Sequence, residues 1–382
     1  MERLYFDTAA TTAMGERPLE VYREVAQQYI GNPSSLHKEG RQAANRLAEE
    51  RALSARLLGV EERQLFYTSG ATESNAIILT SLLWKREAGR VLMSALEHSS
   101  VNSFTPLLER HGFEVITVKT PGGYLDYNSL ERELTPKTQL VCITLVSNLL
   151  GTLQDLPKVV SLVRRLSPQA HIHCDAAQAI GKVAFSLDQL GVDSASFSGH
   201  KFRGPRGAGL LYLKSGTLQV ASGGGGQEGG IRGGTEALPS IAALNVALEE
   251  SLSNLEETLA KGRELHALFV NGLSKLPLFE LLSPSVGEFT PFIITISLKG
   301  FPGEVFSRIL YDRGFCLSSG SACSSNSPKV NKLLFQNASF TPSQAEGSLR
   351  ISFDRDTTQA DIMALLTALK EESEPLKLKL RK

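Results

Sequence analysis

Leu140-Val141-Cys142-Ile143-Thr144-Leu145 is a short, nearly unbroken apolar run, and its reading decides the fold. A strand wet on one face alternates apolar and polar residues, whereas a strand covered on both faces does not. A run this short, rich in Leu, Val and Ile, suits a buried strand of a parallel sheet. Working outward, further candidate strands lie at Gln64–Thr68, Arg90–Ser94, Phe113–Val118, His171–Cys174, Ser194–Ser198 and Gly209–Leu213. Longer amphipathic segments separate them. Helices are expected over Ser74–Lys85 and Leu156–Leu166, with Pro157 acceptable in a first turn. The alternation predicts an α/β fold whose large domain holds a mostly parallel seven-stranded sheet flanked by helices.

Composition shifts after Leu213. Ser222–Gly234 carries too much glycine for the interior of a strand or helix. A helix-rich region follows from Pro239 to about Leu276, then an alternating strand Phe292–Leu298 and a final helix Asp361–Glu372. This predicts a large domain over residues 15–236 and a smaller α+β domain built from 1–14 and 237–382. The basic tail Leu376–Lys382 reads as a frayed, solvated end.

Apolar residues make up 42% of the 382 and charged residues 21%, as in ordinary globular proteins. Lys+Arg and Asp+Glu both total 40, so no excess charge points to nucleic acid or an anionic membrane. No apolar run reaches the roughly 18 residues of a membrane span, and Met1–Ala10 lacks the basic-then-apolar pattern of a signal peptide. Cys142, Cys174, Cys316 and Cys323 form no CxxC pair and read as free thiols of a reducing compartment, by default the cytosol.

Open α/β sheets bind ligands beyond the carboxyl ends of their strands. Ser69-Gly70-Ala71-Thr72-Glu73 follows one strand and enters a helix, which suits an anion at a helix N-terminus; a plain capping box is the alternative. Asp175 closes another strand with Gln178 beyond it, where an acid could pair with a protonated ring nitrogen or merely cap a helix. His171 and His173 share a face of that strand, but no third metal ligand is evident. Ser198-Gly199-His200-Lys201 ends a further strand. Its lysine is either exposed and structural or a sheltered cofactor lysine whose pKa burial and cations such as Arg203 could lower. Cys323 lies among small, mostly polar residues, Ser318 to Ser325, unlike Cys142 and Cys174, which read as core; it is either an idle or a reactive thiol. Gly224–Gly229 fits GxGxxG without a strand before it or a helix directly after it, so nucleotide binding is not expected.

Taken together and in order, Tyr5–Thr12, Gly31–Ser35, Thr68–Asn75, Glu97-His98, Asp175–Gln178, Ser198–Lys201, Gly224–Thr235, Ser318–Cys323 and Leu349–Ser352 resemble the cysteine desulfurases. These belong to the class V aminotransferase group of pyridoxal-phosphate enzymes of fold type I. The resemblance implies a homodimer that takes sulfur from L-cysteine and passes it to an acceptor protein such as an iron–sulfur scaffold. It implies that Lys201 carries pyridoxal 5'-phosphate, that His98 stacks on the ring, and that Asp175 and Gln178 bind the ring nitrogen and the ring hydroxyl oxygen. Ala71, Thr72, Ser198 and His200 would hold the phosphate, and Thr235 would reach the phosphate of the other subunit. Asn148 and Arg350 would hold the substrate carboxylate, a guanidinium fork matching it well. Cys323 would be the nucleophile that becomes a persulfide, and no metal is implied.

The chain departs from the family pattern in four places. Leu149 stands where an acid is usual, Gly229 where an arginine is usual, Ala237 where an asparagine is usual, and Asp354 where a glycine is usual. Selenocysteine lyase, or another class V lyase, is the nearest alternative activity. A non-catalytic scaffold for acceptor proteins is the alternative of another class, and it would need neither Lys201 nor Cys323.

Overall fold

The apolar runs become one sheet. Its strands are Leu65–Thr68 (β1), Arg90–Ser94 (β2), Glu114–Val118 (β3), Thr138–Thr144 (β4), His171–Asp175 (β5), Ser194–Ser198 (β6) and Gly209–Leu213 (β7). They lie in the order β1-β7-β6-β5-β4-β2-β3. The pairs β2·β3, β2·β4, β4·β5 and β5·β6 are parallel, while β7 runs antiparallel to both β6 and β1. This computed structural model describes residues 3–216, 218–220, 224–319 and 338–379.

The central strands have almost no exposed residue, which explains why β4 reads as a continuous apolar run rather than an alternating one. β5 extends one residue beyond the expected Cys174, so Asp175 belongs to the strand. Register then places Thr144 and Asp175, the last residues of β4 and β5, abreast of Ser196 in the middle of β6. The helix after β1 spans Ala71–Ser81 and starts earlier than the expected Ser74. Gly70, at φ +148°, turns the chain directly off the strand in a conformation that side chains disfavour.

The stretch from 238 onward folds as two helices, Leu238–Ser253 and Leu255–Leu273. The first buries Leu238, Ile241, Leu244 and Leu248 in the core of the large sheet. The second buries Leu259, Leu265 and Phe269 in a separate core. A boundary at Ala237 therefore falls one helix before the place where packing changes partner, at Asn254.

The second core covers an antiparallel sheet of Phe279–Leu281 (β8), Ile293–Leu298 (β9), Ser318–Ser319 (β10) and Ser348–Ser352 (β11), ordered β10-β11-β9-β8. The N-terminal segment joins it. Leu4–Tyr5 pairs with Phe315–Cys316, and Phe6 is buried in this core with its ring 6.4 Å from that of Phe315. The last helix, Gln359–Lys379, outruns the expected Glu372. Leu365, Leu369 and Leu376 continue one buried stripe at helical spacing, so the chain up to Leu376 is packed rather than frayed. Among the described residues, no helix is long and apolar enough to cross a membrane.

Phe6→Ala removes a fully buried ring that holds the N-terminal segment, and should cost about 3–5 kcal/mol of stability. Urea denaturation of the variant would check this, and a loss below roughly 1 kcal/mol would show that the segment is not anchored by this contact.

Candidate active site

A cleft of ≈ 490 Å³ opens where β4, β5 and β6 end. One wall is the start of the helix Ala71–Ser81. Gly70 offers no side chain to cap it, and a Cβ placed there would come within 3.1 Å of Ser198 Oγ. No capping box forms: the Glu73 carboxylate accepts the Ser69 N–H, one residue before the N-cap Gly70. The first-turn N–H groups of Ala71 and Thr72, which line the cleft, have no intrahelical acceptor. The wall is bare backbone with a positive dipole end.

Asp175 forms the floor and is only 5% exposed. Its Oδ1 accepts the Ala177 N–H at 3.0 Å and its Oδ2 accepts Asn75 Nδ2 at 2.8 Å. Turns rather than a helix follow it, so it is not a helix cap. His173 is buried and pushed down to about 3 by burial, which keeps it neutral. Both His171 Nε2 and His173 Nδ1 lie 2.7 Å from Ser194 Oγ. Among the described residues, no cluster of His, Cys, Asp and Glu could hold a metal ion.

Lys201 ends the single turn Gly199–Lys201 after β6. Its Nζ donates to the backbone carbonyls of Ala9 and Ala10, at 2.8 and 2.7 Å. Gly199 is fixed by packing, since a Cβ there would meet Leu244 Cδ1 at 2.6 Å. Arg203 pairs with Asp356. A nearer cation is Lys182, buried, whose Nζ donates to Gln178 Oε1 at 2.6 Å while Gln178 Nε2 donates to the Ala9 carbonyl at 2.8 Å. Burial, then Lys201, pushes Lys182 down to about 7 and His200 down to about 4.

His98 begins the next wall. Its Nδ1 accepts the Ser100 N–H at 3.1 Å, and burial lowers its pKa against the pull of Asp175. The adjoining Glu97 is buried, with Oε1 accepting Ser94 Oγ–H and Thr144 N–H, each at 2.6 Å. Its Oε2 meets no partner among the described residues. Burial raises its carboxyl to about 8.

The cleft thus brings together Ala71, Thr72, His98, Asn148, Asp175 and Gln178, with Ser198, His200 and Lys201 opposite. Arg350 is not on its wall: it is buried, with Nη2 donating to Asp7 Oδ1 at 2.8 Å and Nη1 to the Asn148 carbonyl at 3.1 Å. Thr235 is exposed, 3.3 Å from Asn32 Nδ2. Cys323 lies outside the described residues. Leu149, in place of an acid, packs with Leu96, Leu150 and Leu282.

Residues 4–365 match the family model of class V aminotransferases. A NifS/IcsS protein homolog of Lactobacillus delbrueckii subsp. bulgaricus is 38% identical over 96% of each chain. A cysteine desulfurase of Trichormus azollae is 33% identical over 99% of this chain and 94% of its own. The chain belongs to the cysteine desulfurase family. A solved NifS-like protein superposes on this desulfurase fold with TM-score 0.90 at 30% identity, covering 97% of this chain and 98% of that one.

Pyridoxal phosphate is the cofactor of this family. The residues present fit it on three observations: the open backbone at Gly70–Thr72 for an anion, a buried carboxylate on the floor, and a cleft of suitable size. Three side chains of the site carried no role in the sequence reading. Asn75 stood at the end of the Thr68–Asn75 motif, and its helical position four residues beyond Ala71 was the one signal for it. Lys182 and Glu97 gave none beyond lying close to Gln178 and His98.

Because the Glu97 carboxyl sits at about 8 in the folded chain against an ordinary 4.5, the folded state keeps a proton that the unfolded state has lost between these pH values. Stability contributed by Glu97 therefore falls as pH rises through that window. Glu97→Gln should gain on the wild type by a few kcal/mol, roughly, from pH 5 to pH 8, apart from a constant offset. Urea midpoints at several pH values would measure it, and a difference that does not vary with pH would refute the assignment.

Proposed function

We propose that this chain is an L-cysteine desulfurase that converts L-cysteine to L-alanine and leaves the sulfur on Cys323. The observation that carries this reading is Lys201 Nζ held in the same cleft as the Asp175 carboxylate and the open helix start at Ala71. Pyridoxal phosphate, when bound, draws electrons from the carbon that bears the substrate's amino group.

The residues divide the work. Ala71, Thr72, Ser198 and His200 would hold the phosphate, to which a neutral His200 can donate one ring N–H. Asp175 would hold the proton on the ring nitrogen, His98 would flank the ring, and Gln178 would bind the ring hydroxyl oxygen. Lys201 would hold the cofactor, and its amine, once free, can move the proton at the substrate α-carbon. Asn148 and Arg350 hold the substrate carboxylate, for which Arg350 would exchange part of its contact with Asp7.

Cys323, as thiolate, attacks the substrate sulfur: an S–S bond forms, the C–S bond breaks, and the carbon takes up a proton to give alanine. L-Cysteine and the Cys323 thiol thus become L-alanine and a Cys323 persulfide, with no further oxidant. A reductant or an acceptor thiol then removes the outer sulfur. The acceptor is read as a protein such as an iron–sulfur scaffold, and the setting as cytoplasmic, on the strength of the family resemblance alone.

Alanine release from cysteine, with and without a reductant, tests the function. Lys201→Ala should lose alanine formation by orders of magnitude, and borohydride should fix the cofactor to the peptide that holds Lys201 in the wild type. Cys323→Ser should still load the cofactor yet form no persulfide. Wild-type desulfuration by Cys323→Ser would end the persulfide mechanism, and activity retained on selenocysteine alone would favour the lyase alternative.

Thr235, exposed at the end of the glycine-rich loop, completes the phosphate site of a second copy, so the active state is a homodimer. Glu228 anchors that loop: it is buried, accepts Tyr67 N–H at 2.8 Å and pairs with Arg51 at 2.6 Å. Thr235→Ala should weaken cofactor binding several-fold. Equilibrium sedimentation should show a dimer, and a dilute monomer with full cofactor occupancy and activity would contradict the arrangement.

A further inference from the structure

Asn75 is fully buried and makes four side-chain hydrogen bonds. Its two amide hydrogens face Asp175 Oδ2 at 2.8 Å and Ser100 Oγ at 2.9 Å. Its Oδ1 faces His173 Nε2 at 2.8 Å and Ser196 Oγ at 2.6 Å. A carboxylate offers lone pairs, so the NH₂ group must turn to Asp175 and the carbonyl to His173. His173, kept neutral by burial, must then carry its one proton on Nε2. Its Nδ1 accepts from the Ser194 hydroxyl, whose oxygen is left to accept from His171 Nε2.

The donor directions are therefore fixed along the whole chain from His171 to Asp175. Asn75 uses both hydrogens and both lone pairs, and cannot turn over without reversing every link. On its other side Ser100, having accepted from Asn75, can give its hydroxyl hydrogen to His98 Nδ1 at 2.9 Å. One amide thus stands between the side chain at the ring nitrogen and the side chain at the ring face.

We propose that Asn75 is a positioning residue that fixes Asp175 and His98 as one unit for the pyridine ring, its amide locked by His173 and Ser196. The inference rests on the pyridoxal-phosphate reading of the cleft. Neither Asn75 nor His173 lines that cleft, so both act through other groups.

The test titrates cofactor-free protein with pyridoxal phosphate and records the visible circular dichroism of the bound cofactor. The proteins are the wild type, Asn75→Ala, His173→Leu and the double variant. Asn75→Ala should weaken cofactor binding about tenfold, the equivalent of one buried hydrogen bond to a charged group, and should change the dichroic band. His173→Leu should do the same in lesser degree, and the double variant should be no worse than Asn75→Ala because both break one lock. Binding within twofold of the wild type with an unchanged band, in either folded single variant, overturns the proposal, as do effects that multiply in the double variant. Should Asn75→Ala not fold, the affinity and band of His173→Leu decide by the same criteria. A wild type that takes up no pyridoxal phosphate ends the cofactor reading itself, and this inference with it.

Discussion

The carboxylate of Asp175, nearly buried at the end of a central strand, is the constraint on which the site depends. A charge in that position costs several kcal/mol unless donors and an opposite charge meet it. The chain supplies the donors from two directions, the Ala177 N–H just downstream and the Asn75 amide on the neighbouring helix. The helix can supply its donor because it starts straight off β1 at Gly70, which sets Asn75 over the strand ends. Lys201 shares the cleft, and a cation bound there can add opposite charge. In the proposed cofactor complex a protonated pyridine nitrogen would meet that need, and the acid in turn would keep the ring electron-poor.

Lys201 is organised differently. Two backbone carbonyls of the N-terminal segment hold its Nζ, and Gln178, which shares the Ala9 carbonyl, is itself held by the buried Lys182. Burial, then Lys201, depresses the basicity of Lys182; Asp354 partly restores it and Arg350 lowers it further. This gives the Gly-to-Asp departure a physical consequence: it places a negative charge near a buried ammonium. The departure at Leu149 sets an apolar side chain against Leu96, Leu150 and Leu282, directly after the cleft-lining Asn148 in sequence.

What was legible in the sequence was local. The β4 run showed a doubly covered strand because two-sided burial removes alternation, and Asp175 and Lys201 were found because they sit at strand ends, where α/β sheets bind ligands. The helix start at Ala71 was missed because Gly70 supports a turn that apolar periodicity does not register. The Ala237 boundary came from composition, and composition does not say which core a helix packs against. Asn75 and Lys182 were illegible for a plainer reason. The bonds of Asn75 to Asp175, His173 and Ser196 join residues about 100 positions apart, and the role of Lys182 depends on Ala9, 169 positions from Gln178. The family resemblance supplied the roles that local reading left open.

The anchoring of the N-terminal segment has a consequence for how the protein is made. Thr8 donates to the Phe353 carbonyl and Ala9 to Ser352 Oγ, across 345 and 343 positions of chain. The carbonyls that receive the lysine are therefore translated first and secured last, once β11 has left the ribosome. At about 5–20 residues per second that is an interval of roughly 20–70 s. Through it the large sheet can form while the lysine end of its cleft, closed by the Ala9 and Ala10 carbonyls, stays unfinished.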